Sequence, residues 1–295
     1  MTATALRAIL ASGRVTHVPG IYDPLTAALA VAAGHRAVHL SGAAVSAIML
    51  SRPGVGAVNG TQIADRASTL VPALDGIPLI ADADTGYATP PHAVWTALAY
   101  SRAGIAGLHL GDRVTPKGYA HPAGRELIGI GEAAAKITAL AGQAPEIVVI
   151  ARTDAYPAQG LDETIVRCRA YADAGADAVL PAGVGRLDEL RRLHEALPGV
   201  PLVVDRSEAG GDRPAANDAA LTEAALTEAG VRLVLHPVAA LLAAVRAASL
   251  VYRSIADTGT AGPADRMPWA AITALAGQDE AVQHEARYVP RGLDT

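Results

Sequence analysis

Four times along this chain a helix-length stretch ends in Ala-Gly and gives way, within a few residues, to a short apolar run. Ala33-Gly34 precedes Ala37-Val38-His39-Leu40, Ala103-Gly104 precedes Gly107-Leu108-His109-Leu110, Ala174-Gly175 precedes Ala178-Val179-Leu180, and Ala229-Gly230 precedes Leu233-Val234-Leu235. Glycine just past a helix adopts the left-handed conformation that ends it. Each unit therefore reads as helix, stop and buried strand. Apolar runs at Val15–Pro19, Ile77–Ala81, Ile147–Ala151 and Leu202–Val204 bring the strands to eight. Helices are predicted over Pro24–Ala33, Thr61–Leu74, Pro90–Ala103, Gly131–Ala141, Leu161–Ala174, Arg186–Leu197, Ala219–Ala229 and Ala239–Ala256. Short apolar strands alternating with helices require a parallel sheet covered by helices. Eight such units in 295 residues predict an α/β protein, a closed (β/α)8 TIM barrel. No G-x-G-x-x-G opens the first unit, which weakens a dinucleotide-binding alternative. The whole chain reads as one barrel domain, with residues from about 258 onward, including a helix near Asp279–Tyr288, as a C-terminal extension.

In such a barrel, chemistry sits where strands end at the C-terminal rim. The polar residues there are His39 with Ser41-Gly42, Asp82 and Asp84, Gly111-Asp112, Arg152-Thr153-Asp154, Asp205 with Ser207 and Glu208, and His236. Apolar strands that end in charged groups are the pattern of an enzyme. Asp82 and Asp84 share a face if extended backbone continues to Asp84. Two carboxylates that close repel unless a cation or a proton separates them. A hard ion such as Mg²⁺ takes few protein carboxylates and leaves positions for substrate oxygens. The bland alternative is a solvated turn with Asp as a local cap.

Composition narrows the class. Apolar content of 51%, charged content of 18% and a net charge of −5 fit a well-buried globular protein and argue against nucleic acid as a partner. Cys168 is the single cysteine, so no intrachain disulfide forms and a reducing, cytoplasmic compartment is expected. It falls in a predicted helix, where a buried inert thiol is the expectation. Met1–Leu10 lacks a signal-peptide core. The nearest candidate membrane stretch, Val234–Val251, contains His236, Pro237 and Arg246, and no membrane partner is expected. Lys117 and Lys136 are the only lysines in an arginine-rich chain. The segment Leu110–Leu127 is long for a strand-to-helix connection and holds Gly111, Gly118 and Gly124, so it reads as a lid that shields an intermediate from water.

These residues resemble the isocitrate lyase / phosphoenolpyruvate mutase superfamily, most closely its methylisocitrate lyase and carboxyphosphonoenolpyruvate mutase-like branch. The resemblance rests on Tyr22-Asp23-Pro24, His39-Leu40-Ser41-Gly42, Asp82-Ala83-Asp84-Thr85-Gly86-Tyr87, Pro116-Lys117 with His121, and Ala151-Arg152-Thr153-Asp154-Ala155, and it spans nearly the whole chain. It implies that Ser41, Gly42 and Ala43 bind a substrate carboxylate or oxyanion, that Asp82 and Asp84 hold Mg²⁺, and that Arg152 grips a carboxylate or enolate oxygen. His236 joins the substrate-binding set. The implied reaction is a carbon–carbon lyase or aldolase step on a 2-oxo or 2-hydroxy acid through a Mg²⁺-stabilised enolate. The implied assembly is a homodimer or homotetramer with an exchanged C-terminal helix.

The chain also departs from that pattern. The family glutamate after the fourth strand is Gly111, the glutamate after the sixth is Ala182, the aspartate in the second-strand loop is Gly54, and the asparagine after the seventh is Asp205. The Mg²⁺ site is thereby weakened or lost. The lyase acid–base cysteine is replaced by Tyr119 in Lys117-Gly118-Tyr119-Ala120-His121, which moves the proton-transfer role to Tyr119, His121 or Lys117. A decarboxylase, a hydrolase, a phosphonate mutase or a non-catalytic carboxylate-binding barrel are the alternatives.

Overall fold

The computed structural model describes residues 2–54, 56–114, 126–206, 221–261 and 265–288. Eight parallel strands close on themselves in sequence order: β1 (Thr16–Ile21), β2 (Val38–Leu40), β3 (Leu79–Asp82), β4 (Gly107–Gly111), β5 (Val148–Thr153), β6 (Ala178–Pro181), β7 (Leu202–Asp205) and β8 (Val231–His236), with β8 paired to β1. The (β/α)8 barrel and all eight strands are those expected. Gly34, Gly104, Gly175 and Gly230 all have positive φ, as the repeat requires. Helices α2 (Pro24–Ala32), α4 (Gly60–Leu70), α5 (Pro90–Arg102), α6 (Ile130–Gln143), α7 (Tyr156–Asp173), α8 (Leu187–Ala196), α9 (Glu223–Glu228) and α10 (Ala239–Thr258) follow the strands in turn. They enclose an outer apolar layer on each side of the sheet.

Strand alternation sorts side chains between the barrel interior and that helix layer. Val18, Ile80, Val148, Ile150, Leu180, Val203, Leu233 and Leu235 fill the interior as one buried cluster. The same phase carries Asp82, His109, Gly111 and Arg152 inward at the upper rim. The register fixes their neighbours: Asp82 lies opposite His109, and Gly111 opposite Arg152.

Three differences from expectation have local causes. Helix α1 (Thr2–Ala11), unread from sequence, closes the barrel floor with Leu6, Ile9 and Leu10. The helix expected to run to Leu74 stops at Leu70 and tightens into a 3₁₀ turn, Val71–Leu74, because Pro72 lacks an N–H and crowds the carbonyl one turn back. A further helix, α3 (Gly42–Leu50), fills part of the second-strand loop, where an Ala-rich sequence gives no clear apolar period.

Past the barrel lie α11 (Trp269–Leu275) and α12 (Gln278–Tyr288). The stretch Val234–Val251 takes in the end of β8 and most of α10, and α10 is the one helix long and apolar enough to cross a membrane among the described residues. Cys168 is fully buried on α7, and burial pushes its thiol pKa up, as an inert core cysteine requires.

Candidate active site

Interior side chains and rim loops converge on a cavity of about 230 Å³. Its walls include Ser41, Gly42, Ala43, Asp82, Asp84 and Arg152, so six of the expected site residues meet in one place. Tyr87, Arg113, Asp205, His39 and His109 complete its polar lining.

The two aspartates arrive by a route other than the one expected. β3 ends at Asp82, and Asp84 has φ +52°, so extended backbone does not persist. Instead the Asp84 N–H donates to Asp82 Oδ1 at 2.9 Å, a tight turn that folds both carboxylates toward the cavity. The turn is held from below: the Tyr100 hydroxyl donates to the Asp82 carbonyl at 2.7 Å, and buried Lys136 donates to the Thr85 carbonyl at 3.3 Å. One of the two lysines thus has a structural task. Gly42 is required for the close approach of its neighbour, since a Cβ there would meet Asp82 Oδ2 at 2.8 Å.

Ser41 is the N-cap residue of α3, its side chain makes no capping bond, and Gly42 and Ala43 open the helix. The first N–H groups of a helix have no intrahelical acceptor, and the dipole there favours an anion. The oxyanion role implied for Ser41-Gly42-Ala43 thereby gains a physical basis.

Arg152 projects from β5 and lines the same cavity. Asp154 braces it with two hydrogen bonds, Nε to Oδ2 at 3.2 Å and Nη2 to Oδ1 at 2.8 Å. This carboxylate raises the guanidinium pKa further, so its charge is permanent. One edge of the guanidinium is fixed by this bidentate pair, and Arg152 lines the cavity.

Asp112, the acid that survives beside Gly111, points the other way. It is buried in the helix layer and accepts from the Thr153 hydroxyl at 2.7 Å, the Asp154 N–H at 3.0 Å, Arg167 Nη1 at 3.1 Å and the Tyr171 hydroxyl at 2.7 Å. Its carboxylate ties β4, β5 and α7 together beneath Arg152. It is committed to scaffold rather than to a cation.

The missing acids differ in kind. A Cβ at Gly54 would lie 2.4 Å from Ala43 Cα, so no side chain fits there without backbone movement. A Cβ at Gly111 would meet nothing closer than the Asp84 carbonyl at 3.2 Å, with Asp154 Oδ2 at 3.8 Å. Ala182 is part of the buried interior cluster.

His236 is not brought to this cavity. It alternates with interior Leu235, faces the outer side of β8, and its Nε2 lies 3.1 Å from Nδ1 of His17. The expectation that it binds substrate is corrected by that alternation. Tyr119, His121 and Lys117 lie outside the described residues, as do Ser207 and Glu208. His39 and His109 fall late in their predicted strands, where a hydrogen-bonded core histidine is the commoner outcome. They are hydrogen-bonded and buried, yet both line the cavity. Arg113, left open between a surface pair and a substrate anchor, also lines it. The signal for all three was position: each lies in, or just beyond, the upper half of an interior-facing strand.

Among the described residues no cluster of three or more His, Cys, Asp or Glu side chains is arranged as a metal cage. Asp82 and Asp84 still fit a hard cation that keeps most of its shell as water or substrate oxygen, because both carboxylates line one cavity.

A closed (β/α)8 frame whose rim gathers two carboxylates, a guanidinium and a helix start into one cavity defines a barrel enzyme. The chain belongs to the phosphoenolpyruvate phosphomutase family, whose profile matches residues 6–256, within the isocitrate lyase / phosphoenolpyruvate mutase superfamily. It is 35% identical to 2-methylisocitrate lyase of Bacillus subtilis (strain 168), over 88% of this chain and 83% of the relative. It is 34% identical to 2,3-dimethylmalate lyase of Eubacterium barkeri, over 90% of each. Among solved structures, a phosphonopyruvate hydrolase complex with oxalate and Mg²⁺ superposes with a TM-score of 0.85 at 31% identity, covering 98% of this chain and 100% of that one. The family holds lyases, mutases and hydrolases, and its lyase members are the relatives at this identity.

Proposed function

We propose that this protein is a carbon–carbon lyase that cleaves a 2-hydroxy acid, or joins the corresponding 2-oxo acid, through an enolate. The observation that carries this reading is that Arg152, the Asp82–Asp84 turn and the N-terminus of α3 line one cavity. A planar carboxylate bound there meets permanent positive charge and backbone donors. When bound at Asp82 and Asp84, Mg²⁺ would supply positive charge beside the oxygen that becomes anionic as the carbon–carbon bond breaks. Arg152 orients the carboxylate by directional N–H donation, with its angle fixed by Asp154. The donors of Ser41, Gly42 and Ala43 are preorganised, so they stabilise developing charge without reorienting. Tyr87 stays a neutral hydroxyl, because burial raises its pKa beyond the ordinary phenol range. Proton transfer to the leaving fragment falls to Tyr119, with His121 and Lys117 as its companions in the sequence. A cytoplasmic setting suits the single buried thiol.

The relatives' named substrates, 2-methylisocitrate and 2,3-dimethylmalate, set the panel for the test. Purified protein with magnesium and each 2-hydroxy acid is expected to release a 2-oxo acid, detected as its phenylhydrazone. No release from any member, with intact oxalate binding, would favour the hydrolase reading carried by the phosphonopyruvate hydrolase likeness.

The working protein is proposed to be an assembly of identical chains. α10 has no buried residue along its 20 positions, and Leu242, Val245, Leu250, Tyr252 and Ile255 stand exposed on it. An apolar face of that length in water favours association with a second copy. Light scattering after gel filtration is expected to give a dimer or tetramer mass, and Val245→Glu to lower it. A monomeric wild type would remove the exchange of C-terminal helices from this reading.

A further inference from the structure

The rim holds one arrangement that the proposed reaction leaves unused. His39 from β2 and His109 from β4 reach over the interior of β3, and their Nε2 atoms lie 2.9 Å apart. The rings are 5.1 Å apart between centroids and inclined by 26°. Both are buried, at 2% and 3% exposure. On its other side His109 places Nδ1 3.5 Å from Asp82 Oδ1, the same oxygen that receives the Asp84 N–H.

Two nitrogens at that separation share one proton, so one ring donates and the other accepts. Burial, reinforced by the neighbouring His109, pushes the His39 pKa down to about 3, so His39 is neutral throughout the working range. With both rings neutral, two arrangements are available. In the first, His39 donates from Nε2 to His109, and His109 turns its Nδ1–H toward Asp82. In the second, His109 donates to His39, and a bare nitrogen lone pair faces the Asp82 carboxylate. Nδ1 of neither ring makes a hydrogen bond among the described residues, but the second arrangement puts the proton on His39 Nδ1, whereas the first puts it on His109 Nδ1, with the Asp82 carboxylate 3.5 Å away. A stranded buried N–H is rarer and more costly than an unused acceptor. The carboxylate beside His109 Nδ1 therefore favours the first.

We propose that His39 is a positioning residue: its hydrogen bond fixes the tautomer of His109, which in turn holds Asp82 in the orientation that receives a divalent cation. This rests on the reading of Asp82 and Asp84 as a cation site and deepens it. The backbone supports the relay, since Asp82 and His109 are register partners on adjacent strands. Outer groups that orient a metal-binding carboxylate typically change metal affinity by about 10–100-fold when removed.

The test uses Mn²⁺ as the probe, with free ion counted by electron paramagnetic resonance on the full chain. Wild type is expected to bind, His39→Leu to bind at least tenfold more weakly, and His39→Gln, whose amide N–H can still donate to His109, to recover most of the loss. A merely structural role would not be rescued in that order. Two-bond ¹H–¹⁵N spectra of the imidazoles read the tautomer directly in wild type, and His109 is expected as the Nδ1–H form. An Nε2–H form at His109 overturns the relay, and it decides the matter even where His39→Leu fails to fold. Wild-type affinity in folded His39→Leu overturns it while the cation site stands. Absence of Mn²⁺ binding in wild type removes both.

Discussion

Magnesium is expected to raise the melting temperature of the wild-type protein, and Asp82→Ala to abolish that rise. A ligand bound only by the folded state stabilises it by about 2.7 kcal/mol at a hundredfold excess over its dissociation constant. For a chain of 295 residues that corresponds to a shift of roughly 4 °C. In the alanine variant Asp84 alone faces the cavity, and the tight turn loses the acceptor of the Asp84 N–H, so the remaining carboxylate is also misplaced. Turnover should fall by about 10²–10³-fold, since charge stabilisation by a bound cation contributes several kcal/mol to a transition state. Differential scanning fluorimetry with magnesium or with chelator reads the first effect. An equal rise in wild type and Asp82→Ala would place the cation elsewhere.

Arg152→Ala is expected to weaken binding of oxalate, an enolate mimic, by about 10²-fold or more. A charge-assisted hydrogen bond contributes about 1.5–3 kcal/mol, and a guanidinium can offer two to one carboxylate. The loss has a second part specific to this geometry. Without Arg152, the Asp154 carboxylate keeps its negative charge beside the cavity with its nearest counter-charge gone. The double variant Arg152→Ala/Asp154→Asn should therefore bind oxalate better than Arg152→Ala alone, a non-additivity expected of residues in contact. Isothermal titration with magnesium present measures both. Unchanged oxalate affinity in Arg152→Ala would remove this arginine from the anion site. Additive effects in the double variant would show that Asp154 only shapes the guanidinium.

The departures from the family pattern carry different weights once their surroundings are seen. Gly54 and Gly111 both stand where relatives carry acids. Ala43 occupies the space a side chain at position 54 would need, whereas a Cβ at position 111 would press less severely, at 3.2 Å from the Asp84 carbonyl. A side chain at position 54 would require backbone movement, and one at position 111 a shift of a few tenths of an ångström at Asp84. Asp112 survives in sequence but serves the scaffold, with four donors on its carboxylate.

The eight strands, their order, the Gly-stopped helices and the acidic rim were all determined by the sequence itself. Each depends on local rules: apolar runs too short for anything but buried strands, and glycine where left-handed backbone is needed. The pairing of Asp82 with Asp84 was likewise legible in their spacing. Tertiary structure decided what depends on which way a rim side chain turns. His236 fell on the outer face because one residue of strand phase reverses direction. Asp112 turned into the helix layer for the same reason, and Asp84 reached the cavity through a left-handed turn that spacing does not encode. The pairing of His39 with His109, 70 residues apart, exists only because the closed sheet sets β2 and β4 on either side of β3.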